Sequence, residues 1–248
     1  MPLTGETGRH YTTRTLRTFV SEIWEAEMDF SGFQPFNRED HVYRSDAFVE
    51  MVKDAVQFFY KTPVAQLPPP LPFDGCGVYA IYCTAREGIY SIYGTELNRF
   101  KINVPIYVGS AISAGARQAR SFGAADAGRQ LYNRLVQHSR SIFCVRNLAL
   151  GDFCCRFMIL DGQTQTMATA IESMLISLDS PLWNGIVDGF GNHNPGKNRM
   201  DGDRPAWDVL HPGRPWADGM PIRGMTVAGI RKRVTDYLYG KVNRRDHV

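Results

Sequence analysis

Nothing in this sequence approaches the ~20 consecutive apolar residues that a bilayer-spanning helix requires, and the polar start MPLTGETGRHYTTRT lacks the apolar run of a secretory signal. The expectation is a soluble cytoplasmic chain with no membrane partner. Cysteine is scarce and unpatterned: Cys76, Cys83, Cys144, Cys154 and Cys155 form an odd set without a C-x-x-C pair. That argues against a disulfide framework and against a zinc knuckle, and leaves free buried thiols. Internal repeats and low-complexity segments are missing too, so solenoids and flexible arrays drop out. Charge of one sign is in short supply as well. A net +3 at pH 7 does not by itself define a nucleic-acid partner.

What is present is core material. A chain of 248 residues with 44% apolar and 21% charged positions can bury a full core, as one large domain or as a core with elaborations. The charge is also less even than its total. Basic residues bunch at Arg117, Arg120, Arg129, Arg134 and Arg140, then at Arg231-Lys232-Arg233 and Arg244-Arg245. Such clusters fit phosphate contacts and solvated helix faces equally well.

Along the chain, residues 1 to about 60 read as helical. Ser45 can cap a segment from Asp46 to Tyr60, in which Phe48, Met51, Val52, Ala55, Val56 and Phe59 recur at three and four. The run Leu67-Pro68-Pro69-Pro70-Leu71-Pro72 stops it, which makes 1–72 a helical N-terminal appendage. Gly77 to Cys83 reads as a β-strand. A polar loop, Thr84 to Lys101, leads to a second strand at Ile102 to Val108, where Pro105 argues for an edge position or a local irregularity. A helix follows from about Ala125 to Ile142, then a strand at Phe153 to Leu160. A second helix runs from Thr164 to Asp179 with Met167, Ile171, Met174, Leu175 and Leu178 inward, and Pro181 closes it. The fold class is α+β: a β-β-α-β-α core in 73–188, with a small antiparallel sheet flanked by helices. Residues 189–248 are a loop-rich excursion, Gly189 to Trp216, and a last helix from Val227 to Tyr239.

Some polar residues within this frame could carry chemistry. Arg134 and His138 stand one helical turn apart, where a guanidinium and an imidazole can grip a phosphate and move a proton, or simply form an exposed polar face. Glu172 has no basic neighbour three or four residues away on a helix rich in Ala, Met, Ile and Leu. It suits a hard cation such as Mg²⁺, or it points to solvent. Asn184, beyond the helix stop, can donate to a phosphate oxygen or make a turn.

Gly77-Val78-Tyr79 and Tyr107-Val108-Gly109 lie on the first two strands. With the helical Arg, the helical Glu and the later Asn, they resemble the GIY-YIG nuclease superfamily. The spacing looks closest to its Type II restriction endonucleases that cut the palindrome CCGCGG, the specificity of SacII. That resemblance extends to the Gly-rich excursion and to Trp207-Asp208-Val209-Leu210-His211-Pro212-Gly213-Arg214-Pro215-Trp216. It makes Tyr79 and Tyr107 the tyrosines of the two motifs, Arg134 the helical arginine and His138 its partner. Glu172 becomes the metal ligand and Asn184 the closing polar residue of the catalytic set. It implies a Mg²⁺-dependent enzyme (Mn²⁺ can substitute) that hydrolyses phosphodiester bonds of double-stranded DNA in a bacterial restriction-modification system, leaving 5′-phosphate and 3′-hydroxyl ends. A palindromic target implies a homodimer, with a tetramer as the larger option. DNA contacts are expected from the loop at 84–104, from Arg117 and Arg120, and from Lys197, Arg199 and Arg214 in the excursion; arginine suits guanine in a GC-rich site.

Two departures stand against this. The tyrosines lie 28 positions apart (107 − 79 = 28), longer than is usual in the superfamily although suited to the restriction branch, and Ser110 stands where many relatives carry Lys. A literal Gly88-Ile89-Tyr90 also occurs, 17 positions before Tyr107 (107 − 90 = 17), but it is bracketed by glycines and charges in the loop, so Tyr79 in the better strand is preferred. The stretch from Gly191 to Lys197 mimics a phosphate loop, yet Asn198 follows in place of Ser or Thr and no helix can open there, so no nucleotide cofactor is expected. The alternatives are a repair or homing nuclease on the same core, and a catalytically silent DNA-binding protein that keeps the scaffold.

Overall fold

The computed structural model describes residues 36–112, 128–194, 196 and 200–245. Of the sequence candidates, Arg117, Arg120, Lys197 and Arg199 lie outside these. The chain divides into two compact units, 1–45 and 46–248. In the first, Arg38–His41 form one 3-10 turn whose Asn37 cap accepts the Glu39 amide through its side chain at 3.3 Å.

The second unit is built on a four-stranded antiparallel sheet: β1 (Val64–Gln66), β2 (Cys76–Cys83), β3 (Pro105–Ala111) and β4 (Phe153–Leu160), in the order β1-β4-β2-β3. Central β2 is buried along its whole length, because helices cover both faces of the sheet. Its alternation divides the core in two. Tyr79, Ile81 and Cys83 face one layer, with Leu131, Leu135 and Ile142 of α2 (Gln130–Phe143). Val78, Ala80 and Tyr82 face the other, with Val52, Val56 and Phe59 of α1 (Asp46–Lys61) and Ile171 and Leu175 of α3 (Ala168–Asp179). Pro105 opens β3 opposite Tyr82, at a register shift and on an edge strand, where a missing amide costs the ladder least. Beyond α3 follow α4 (Leu182–Gly185), α5 (Ala206–Leu210), α6 (Pro215–Asp218) and α7 (Val227–Arg245).

Four expectations change. The boundary at residue 72 does not separate the compact units: α1 packs on the sheet, and β1, three residues before the proline run, pairs with β4 as an edge strand. The helix also presents Phe48 and Met51 outward, so only part of its apolar repeat is core. The loop after β2 is no solvated connection, because a 3-10 turn at Gly88–Tyr90 and a π turn at Tyr93–Leu97 bury both tyrosines and Leu97. Leu178, expected inward, is exposed.

Candidate active site

The site grows from the β2–β3 pair. Tyr79 stands opposite Gly109, and a Cβ at 109 would lie 2.4 Å from the Tyr79 hydroxyl oxygen, so the second motif's glycine makes room for the first motif's phenol. Gly77 serves the pairing of β2 with β4: a Cβ there would meet the Met158 carbonyl oxygen at 2.0 Å. The glycines of both motifs are therefore demanded by close approach.

α2 then brings Arg134 and His138 to the same point. The Tyr79 hydroxyl and His138 Nε2 are 2.6 Å apart, and Arg134 Nε donates to the same hydroxyl at 3.4 Å. Burial, then the neighbouring Tyr107, pushes the Tyr79 phenol well above its ordinary pKa, against the pull of Arg134. Burial, then the Arg134 charge, holds His138 well below its ordinary value. Both shifts favour the neutral forms at pH 7, so a single hydrogen is shared between the Tyr79 oxygen and His138 Nε2. Tyr107 completes the cluster, its ring 6.2 Å from that of Tyr79 and 5.2 Å from His138; burial raises its pKa too, opposed by Arg134 and reinforced by Glu172.

Glu172, on α3, is half-buried and accepts the Ser110 hydroxyl at 2.6 Å. Ser110, where a Lys is common in the superfamily, thus engages the acid directly. Among the described residues no three His, Cys, Asp or Glu side chains gather into a metal cage. The donor set is a single carboxylate beside a hydroxyl. It fits a hard cation that keeps most of its shell as water and phosphate oxygens, and it does not fit a soft metal.

Asn184 has a backbone partner on β3. Its Oδ1 accepts the Val108 amide and its Nδ2 donates to the Val108 carbonyl, both at 2.8 Å, so it ties α4 to the outer edge of β3.

The larger correction is Arg214, expected at the DNA. It is 3% exposed and ion-paired with buried Asp208. Nε reaches Asp208 Oδ1 at 2.6 Å, NH1 donates to the carbonyls of Phe190 and Asn192, and NH2 to that of Gly189. The guanidinium also lies over the rings of Trp207 and Trp216. With all its donors turned inward it is a clamp on the loop at 189–192. Phe190 of that loop stacks on His138 at 4.6 Å, and the Gly191 carbonyl accepts Arg134 NH2 at 2.8 Å. The sequence signal for this role is an acid six residues before the arginine, with Trp207 next to the acid and Trp216 two residues after the arginine.

The rival Tyr90 lies elsewhere in the core. Its hydroxyl accepts Trp183 Nε1 at 2.9 Å and meets His211 Nε2 at 2.7 Å, with neither Arg134 nor Glu172 among its partners.

A small antiparallel sheet between helices, with paired tyrosines on its adjacent strands and a helical arginine beside them, defines a GIY-YIG nuclease. More narrowly, residues 71–238 match the family model described as the Eco29kI GIY-YIG domain, and the chain belongs to this family of restriction endonucleases. It is therefore a nuclease whose substrate is DNA. Among curated proteins no match was found. No helix among the described residues is long and apolar enough to cross a membrane.

Proposed function

We propose that this protein is a Type II restriction endonuclease that cleaves double-stranded DNA at CCGCGG by one-metal hydrolysis, leaving 5′-phosphate and 3′-hydroxyl ends. The observation that carries the chemistry is the neutral Tyr79–His138 pair at 2.6 Å beside the Arg134 guanidinium. A free phenol, with a pKa near ~10, is a poor base at neutral pH, so Tyr79 needs a place to send its own proton. His138 Nε2 provides it. As water attacks phosphorus, the Tyr79 oxygen takes the water proton while the phenol proton passes to His138. The new P–O bond forms as the bond to the 3′ oxygen breaks, and solvent protonates that oxygen. The depressed basicity of His138 means the proton is held only briefly before release to solvent.

Arg134 grips the non-bridging oxygens, which a planar guanidinium does better than an ammonium. Tyr107 orients the water, and Asn184 holds β3 in register. Glu172 would hold Mg²⁺ or Mn²⁺, which when bound supplies Lewis-acid stabilisation of the departing oxygen. A palindromic target calls for a homodimer, or a tetramer of two such pairs.

The test is plasmid DNA with and without CCGCGG, incubated with Mg²⁺ and either wild type or Glu172→Ala. Discrete fragments that end at CCGCGG, with cleavage by the variant reduced at least about 1,000-fold, are expected. Cuts at other sequences would overturn the specificity alone. No cleavage by the wild type across metals and salt would sink the hydrolytic reading.

A further inference from the structure

His193 belongs to no motif, yet the fold places it against Arg134. Its Nε2 lies 2.6 Å from Arg134 NH1. Nδ1 of the same ring lies 3.5 Å from NH1, so the guanidinium, which always donates, faces both ring nitrogens, one of which is bare while the other carries the hydrogen. Burial, then the charges of Arg134 and Arg214, holds the ring below its ordinary basicity, in keeping with the neutral form. Arg134 does not require this partner. Its other donors already reach the Tyr79 hydroxyl, the Gln137 side chain and the Gly191 carbonyl, and His193 itself is exposed.

The position is imposed from behind. Arg214 holds the carbonyls of Gly189, Phe190 and Asn192, and His193 is the next residue. A buried ion pair between two tryptophans is a substantial anchor for a surface loop. In front of it lie two cavities, about 330 Å³ on the Ser110 side and about 260 Å³ on the side of Arg140 and Trp216. Arg134, Gln137 and His193 line both, so the imidazole sits where the two meet. A phosphate that reaches Arg134 through either cavity meets His193 as part of the same lining.

We infer that His193 is a further catalytic residue of this nuclease, one whose ring N–H donates to a non-bridging oxygen of the phosphate held by Arg134 while the ring keeps the guanidinium aligned. This rests on the nuclease reading given above. Arg214 and Asp208 are then positioning residues, acting through the loop that carries His193.

Two measurements test it. The first is single-turnover cleavage of supercoiled plasmid bearing CCGCGG, in Mg²⁺, by wild type, His193→Ala and Arg214→Lys. Loss of one preorganised donor slows His193→Ala by about 100-fold, with free imidazole restoring part of the rate. The thermal midpoint of His193→Ala should stay within about 2 °C of wild type, because the side chain is exposed. Arg214→Lys should lose rate as well, without rescue by imidazole. A His193→Ala rate within threefold of wild type overturns the proposal, and so does a loss that imidazole leaves untouched.

The second is NMR of protein labelled with ¹⁵N-histidine, on adding a CCGCGG duplex in Ca²⁺. A shift of the His193 ring nitrogens supports the contact even if the wild type fails to cut, in which case the hydrolytic reading and the catalytic role fall and the contact stands. An unmoved His193 signal in a protein that binds the duplex overturns the contact and leaves the nuclease reading intact.

Discussion

Two buried tyrosine–histidine pairs lie in this core, and they are nearly superimposable as chemistry. Tyr79 meets His138 at 2.6 Å and Tyr90 meets His211 at 2.7 Å, with ring centroids 5.3 and 5.5 Å apart. All four side chains are 2% exposed or less. They differ in their further partners. Tyr90 also accepts the Trp183 indole N–H, and His211 Nδ1 meets Asn147 Oδ1 at 3.0 Å, so neutral partners close every polar atom. Tyr79 has a guanidinium as its third partner, and His138 lines a cavity. A tyrosine–histidine hydrogen bond is therefore a brace by default. It becomes a candidate for proton transfer where a cation and an opening are added, and Tyr90 of the more literal Gly88-Ile89-Tyr90 has only neutral hydrogen-bond partners.

Three substitutions and a change of pH bear on that contrast. The largest effect is expected from Tyr79→Phe, which should reduce single-turnover plasmid cleavage by about 1,000-fold, while Tyr90→Phe leaves the rate per folded molecule within about threefold. If Tyr90→Phe alone abolishes cutting, the two pairs have been assigned the wrong way round.

Acid should act next. Burial, with a smaller contribution from the Arg231 charge, lowers the His211 pKa from 6.5 to about 3. The folded state then binds fewer protons than the unfolded one between those values. Stability from this group is complete above about 6.5 and is lost as pH falls toward about 3. His138 shifts in the same direction, so each pair adds to acid sensitivity. Urea midpoints at pH 7 and pH 4.5 should converge in His211→Gln relative to wild type. An unchanged pH dependence would mean that His211 is protonated in the fold.

The smallest effect is expected at neutral pH. Tyr90→Phe strands the Trp183 indole and should lower unfolding free energy by about 1–3 kcal/mol. A matching loss in Tyr79→Phe would erase the difference between a brace and a site.

Much of this was legible in the sequence where the signal is local. Strand Phe153–Leu160 and the helix ending at Asp179 follow from periodicity and a closing proline, and six polar residues in order pointed to the superfamily. Other features depend on partners that sequence spacing does not reveal. Strand Val64–Gln66 is three residues long and borders a proline run, so nothing in its pattern distinguishes it from a loop. Arg214 sits among glycines and prolines and reads as a DNA contact, and only its burial against Asp208 and two tryptophans reverses that. Asn184 resembled a phosphate donor because its actual partner, the backbone of Val108, lies 76 residues away. His193 belongs to no motif and Ser110 reads only as a missing lysine, because the groups they meet, Arg134 and Glu172, lie far away in the chain.

The short strand β1 also limits how this protein can be dissected. The family match begins at residue 71, but the sheet does not. An expression fragment cut there would lose the partner of Cys154–Arg156 and the carbonyls of Tyr60 and Thr62 that receive the Arg156 guanidinium. It would open a ladder edge beside a half-emptied apolar face, the combination from which strand-to-strand aggregation starts. The smallest fragment worth purifying therefore begins before Asp46, and an insoluble shorter one would report on the sheet's border, not on the nuclease.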